Sequence, residues 1–252
     1  MKKIVFLLLF TSILSYSQNA FKVGEKLKYR LSYSSFLTAG YATMEIKKAK
    51  KSNREAYHVI GKGKTTGMIS WFFKVKDRYE TKFYKDNLQP YHFIRKINEG
   101  GYTKDKEIFF DREAKKALVI NNEKNKRKVF DVTDNVQDLL SALYYMRNKD
   151  ISSFKKGDQI TLTLFFDEEL APMKLKFLGR EKIKSKFGKI MAAKFRPLVQ
   201  AGRVFKEEES VTVWVSDDAN KIPLKIKASL AVGSLRADIN TYSGLANKIT
   251  FE

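Results

Sequence analysis

Apolar and polar residues alternate along most of the chain. Leu27, Tyr29, Leu31 and Tyr33 share one side, with Lys26, Lys28, Arg30 and Ser32 between them. The pattern returns with Met173, Leu175 and Phe177 against Lys174 and Lys176, and with Ile222, Leu224, Ile226 and Ala228 against Lys225 and Lys227. A period of two marks strands buried on one face. Such strands belong to antiparallel sheets with one wet side. Lys85-Asp86-Asn87 before Pro90, Glu99-Gly100-Gly101 and Asp217-Asp218-Ala219-Asn220 punctuate the runs as turns. Asn121 to Lys128 reads as a polar loop. The punctuation suits a meander.

One segment changes period. Asp134 and Gln137 have the spacing of a capping box, and Val136, Leu139, Leu140, Leu143 and Met146 follow at helical intervals. Arg147 and Lys149 close the run, where cations suit the helix dipole. The sequence thus predicts a mainly β fold, a curved antiparallel sheet or barrel-like meander, with one inserted helix over about 135–148. The stretches flanking that helix look alike. Phe21-Lys22-Val23-Gly24-Glu25 is echoed by Phe154-Lys155-Lys156-Gly157-Asp158, and the approach to Pro90 by the approach to Pro223. This suggests a single domain over 18–252, with two duplicated halves, 18–133 and 151–252, joined by the helix.

The first residues set the expected compartment. Lys2 and Lys3 precede an apolar run from Ile4 to Leu14, and Ser15-Tyr16-Ser17 offers small residues for cleavage. That layout predicts a signal peptide over 1–17. The run is well short of the roughly 20 residues a membrane span needs. No later segment is long and apolar enough to span, so the expected location is the periplasm or beyond, with no transmembrane segment after cleavage. There is no cysteine, so disulfides and thiol chemistry are excluded. With 19 Phe and 12 Tyr the chain can pack a core without them. Its net charge of +21 favours anionic partners such as lipid phosphates, lipopolysaccharide or acidic glycans. No nucleic-acid recognition motif accompanies the charge, so no specific nucleic-acid partner is expected.

Candidate chemistry is sparse. His58 and His92 are the two histidines and have no metal-ligand spacing, so no metal or other cofactor is expected. No nucleophile elbow is present. Acidic clusters occur at Asp167-Glu168-Glu169, Glu207-Glu208-Glu209 and Asp217-Asp218, all in turn-like surroundings. No catalytic residue is assigned. Trp71-Phe72-Phe73 stands among Lys74, Lys76 and Arg78. It reads either as core rings on a strand or as a ligand-facing rim.

Several phrases together carry a resemblance. They are Phe21-x-x-Gly24-Glu25-x-Leu27-x-Tyr29 with Ala39-Gly40, Gly179-Arg180-Glu181 with Gly188, and Val213-Trp214-Val215-Ser216-Asp217-Asp218 leading to Ile222-Pro223-Leu224. In this order the chain resembles the bacterial envelope family of unknown function DUF3108. The resemblance implies an exported β-rich domain and supplies no catalytic residues. A looser likeness is to the half-barrel lipoprotein carriers of the periplasm, which hold acyl chains but have several lid helices. The favoured expectation is a non-catalytic binding or carrier domain for an amphiphilic or anionic envelope component, with ligand contacts at Trp71, Phe73, Arg95 and Arg180. The alternatives are a polysaccharide-active enzyme, lyase or glycosidase, on an acidic glycan, and an envelope scaffold.

Overall fold

The computed structural model describes residues 19–34, 36–198, 211–229 and 233–252. The expected signal peptide and the Glu207-Glu208-Glu209 cluster lie outside the described residues.

The first half runs β1 (Lys26–Tyr33), β2 (Leu37–Lys51), β3 (Arg54–Thr65), α1 (Ile69–Phe72), β4 (Lys76–Tyr84), β5 (Pro90–Glu99), β6 (Tyr102–Asp111), β7 (Lys116–Asn121) and β8 (Lys126–Asp131). Then come β9 (Val136–Gln137) and α2 (Leu139–Arg147). The second half adds β10 (Gln159–Phe166), β11 (Glu169–Ser185), β12 (Gly188–Leu198), β13 (Val211–Ser216), β14 (Pro223–Ser229) and β15 (Ser234–Ser243). All fifteen strands form one sheet, in the order β8-β7-β6-β5-β4-β3-β2-β1-β15-β14-β13-β12-β11-β10-β9. Neighbours are antiparallel except β9 with β10. The sheet is curved and not closed. Its centre is the pairing of β1 with β15, from Lys26↔Ser243 to Tyr33↔Leu235.

The alternation read from the sequence holds at the start of β1 and breaks after Leu31, where the register to β2 shifts and Ser32, expected on the wet side, is buried. Leu27 and Tyr29 are buried between outward Lys26, Lys28 and Arg30. Because the strands run up and down, connections of one kind share a rim. At the upper rim β1, β3, β5, β10, β12 and β14 end; at the lower rim they begin.

Equivalent devices recur at the lower rim. Gly24 (φ +92°) donates to Ile46, which donates to Glu25; Gly157 (φ +106°) donates to Phe177, which donates to Asp158. Pro90 and Pro223 each open a strand two residues after a positive φ, at Leu88 and Lys221. The register slips beside each, between Lys82 and Phe83 and between Trp214 and Val215.

The structure corrects the local reading in three places. The inserted helix is Leu139–Arg147, not 135–148, and its N-cap is Asp138 rather than Asp134. Val136 and Gln137 are drawn into strand pairing with Thr163 and Leu164, and this ladder outcompetes a longer helix. Asp134 instead sits at the surface with Lys115, 3.0 Å away. The expected loop from Asn121 to Lys128 is a turn only over 122–125: β7 ends at Asn121 and β8 starts at Lys126, so half of the segment is strand. The Trp71-Phe72-Phe73 segment is no strand; α1 ends at Phe72 and Phe73 is its C-cap.

Candidate functional site: an apolar cavity under helix α2

Helix α2 lies on the concave side of the sheet and is pinned at both ends. At its N-terminus the Asp138 carboxylate accepts from the amides of Leu140 and Ser141, each at 2.9 Å. Ser141 Oγ accepts from the Asp138 amide, completing a capping box. Thr81 Oγ1 of β4 donates to Asp138 Oδ2 at 2.6 Å. Burial outweighs these donors and pushes the Asp138 carboxyl up to about 6. At the C-terminus Arg147 makes a bidentate pair with Glu25, at 2.6 and 2.7 Å. Its remaining donors reach the Asn220 and Ala20 carbonyls, both at 3.0 Å. Both side chains of the pair are almost completely buried. Burial opposes the Arg147 charge, but Glu25 more than offsets it, and the guanidinium pKa is raised.

The helix shows different faces to the two halves. Tyr144 and Leu140 pack on Phe21, Ile46, Tyr57, Val59 and Phe83, an aromatic core that fills the first half. The Tyr144 ring meets Phe21 edge-on at 4.8 Å. Leu139, Leu143 and Met146 face the second half instead, and here the interior is not filled. A cavity of about 330 Å³ lies between this face and strands β1, β2 and β10–β15. Its far wall is made of small or branched side chains, among them Ala42, Val213, Val215, Ile226 and Ala237. Small residues where the first half has rings leave the space open. The surface is almost wholly carbon, because Arg147 and Lys221 present their stems there and turn their charged ends away. Burial lowers the Lys221 pKa. The lining is buried toward the lower rim, at Tyr29, Arg147 and Ile151. Toward the upper rim Leu139 is exposed and Met173, Pro197, Val213 and Ile226 are partly so. Among the described residues the cavity therefore opens upward.

None of the four expected contact residues lines this space. Arg95, on β5, is 2.6 Å from Asp167 of the β10–β11 turn and lies over the Phe166 ring. It ties the two ends of the sheet together, helped by Lys104 on Asp167 and Lys106 on Glu168. Arg180 bonds Asp217 and the carbonyls of Ile151 and Phe154, clasping the segment after α2. Trp71 and Phe73 stand at the surface of the upper rim, apart from both arginines. The residues that do build the site are apolar, and sequence inspection had no reason to single them out from the core.

The candidate catalytic groups do not converge. His58 bonds Glu80 at 2.5 Å, and His92 bonds Glu107 at 3.0 Å while stacking on Phe109. Both lie on the convex face, across the sheet from the cavity. Burial lowers the His92 pKa. Asp217 and Asp218 are taken up by Arg180 and by the turn leading to Asn220. Trp214 also faces outward, its indole donating to Glu181. Among the described residues no group of three or more acids or histidines is placed to hold a metal ion.

The sequence profile of a protein of unknown function, DUF3108, matches residues 28–240. The chain belongs to the DUF3108 family. No curated protein matches the chain. Among solved structures it is similar to a β-barrel-like protein of the domain of unknown function DUF1849 from Brucella abortus, at 11% identity and a TM-score of 0.57, covering 88% of this chain and 98% of that one. It is also similar to a hypothetical protein from Chlamydia trachomatis, at 8% identity and TM-score 0.40, covering 92% of each chain. A protein with a YmcC-like fold from Bacteroides fragilis, described as exported, aligns at 6% identity and TM-score 0.36 over 88% of this chain and 97% of that one. The DUF1849 likeness, spread over nearly the whole of both chains, shows that this DUF3108 protein shares the β-barrel-like fold. Among its described residues no helix is long and apolar enough to cross a membrane.

Proposed function

We propose that this DUF3108 protein is a non-catalytic periplasmic binding or carrier domain that takes the hydrocarbon part of an envelope amphiphile into the cavity under α2. The observation that carries the reading is the lining. A space of about 330 Å³ with walls of carbon offers a chain of methylenes good contact and offers a sugar no hydrogen bond. Each methylene moved from water into it contributes about 0.8 kcal/mol. The polar head would stay at the upper opening, within the field of a strongly basic surface.

The enzyme reading finds less support, since among the described residues neither acids nor histidines line the cavity. The scaffold reading needs an open edge, and edge strand β8 carries Lys126, Arg127 and Lys128, which discourage strand addition. The repeated turns of the two halves support the further proposal that 18–133 and 151–252 arose by duplication, with only the second half keeping an empty interior.

Uptake of a fluorescent fatty acid tests the cavity reading. The protein should bind it, and Ala42→Phe and Ala237→Phe, which fill the space, should weaken binding at least tenfold while the circular-dichroism spectrum stays that of a β protein. Equal uptake by folded variants that have lost the space would overturn the proposal.

A further inference from the structure

Large apolar side chains are exposed unevenly over this molecule. Of the thirteen that are exposed among the described residues, eight sit at the upper rim. Phe36, Met68, Trp71 and Phe72 form its crest, with Phe36 79%, Trp71 83% and Phe72 86% exposed. They are held together by backbone structure. Helix α1 packs against β2, and the Thr66 amide donates to the Ala39 carbonyl at 3.0 Å. Phe73 anchors the crest from behind, its ring lying against Gly100 so closely that an added Cβ there would be 2.4 Å from it. Tyr102, Leu170 and Leu235 continue the apolar band along the same rim.

Among the described residues the charge around the crest is mainly positive, with Asp77 and Glu99 as its nearest acids. Lys62, Lys64, Lys74 and Lys76 are exposed and make no ion pair among the described residues. The neighbouring acids of the β10–β11 turn are already engaged, Asp167 by Arg95 and Lys104, and Glu168 by Lys106 and Lys128. A protein interior would be a poor match for four unpaired ammonium groups. An anionic bilayer suits both features: rings enter the headgroup region while lysines meet lipid phosphates. Trp is the side chain best adapted to that depth.

We propose that the upper rim docks on an anionic lipid bilayer, with Trp71 and Phe72 inserted and Lys62, Lys64, Lys74 and Lys76 at the phosphate level. Docking in this orientation turns the open end of the cavity toward the membrane. The two ideas separate cleanly, because vesicle binding reports on the rim and fatty-acid uptake on the cavity.

Co-sedimentation of the purified protein with phosphatidylcholine–phosphatidylglycerol vesicles is the experiment. Trp71→Ser with Phe72→Ser should lower partitioning roughly tenfold or more, as expected for losing two buried apolar side chains. Each of Lys64→Gln and Lys76→Gln should lower it about fivefold. Val23→Ser, at the opposite rim, should leave it unchanged. In a Trp214→Phe background the remaining Trp71 should shift its emission to the blue on adding vesicles. Absence of binding by the parent protein, unaltered binding by the double serine variant, or a Trp71 emission that ignores vesicles would each overturn the proposal. Binding that all the lysine changes weaken but the aromatic changes spare would do the same, since it would reduce to the general attraction of a basic protein.

Discussion

At the scale of single residues, Arg147 and Glu25 dominate. A buried pair this well bonded is costly to break, because removing one partner strands the other. Arg147→Met should cost about 3–5 kcal/mol in urea unfolding. The double change with Glu25→Leu should restore much of that loss. Asp138 makes a second prediction. Its folded carboxyl titrates near 6, above the ordinary value of 3.8, so the folded state holds a proton that the unfolded chain has released. The stabilisation this gives is complete below the ordinary carboxylate pKa and is lost as pH rises toward 6, by up to about 3 kcal/mol. Asp138→Asn should remove that slope from a pH series of melting curves. Neither site was legible in the sequence. Glu25 and Arg147 are 122 residues apart, and nothing local announces their meeting. The Asp134–Gln137 and Asp138–Ser141 spacings both suit a cap, and the choice between them is made by a ladder to β10.

At the scale of elements, the strands were readable because one face is dry and the other wet. Their legibility failed where that contrast fails. In β8 most side chains are exposed on an edge, so its charged run looked like a loop. In α1 and its C-cap three adjacent rings show neither period, because they answer to no core. The concave apolar face was foreseeable from alternation, whereas its empty part was not, since missing volume has no residue to represent it. Glycines mark where elements crowd. An added Cβ at Gly40 would stand 2.1 Å from the Lys64 carbonyl oxygen, so Gly40→Ala should force β2 from β3 and cost at least about 2 kcal/mol in thermal unfolding. The Ala39-Gly40 phrase thus has a steric reason. By contrast, Asp167→Asn in the β10–β11 turn loosens only a partly exposed cluster. It should cost about 1 kcal/mol or less, an effect that shrinks with added salt.

For the molecule as a whole, the repeated turns and the single sheet make a frame with one tightly packed half and one hollow half. Lysines cover the convex side and guard an edge. The frame also has a temporal side, set by which strands are neighbours. β1, near the start of the chain, is hydrogen-bonded along its length to β15, which ends at Ser243. A ribosome making this protein must complete β15 before the central seam can form. Contacts so remote in sequence make for slow folding, on the scale of milliseconds to seconds. A chain that stays open until its last strand arrives is well matched to crossing a membrane as an extended thread and acquiring its shape on the far side.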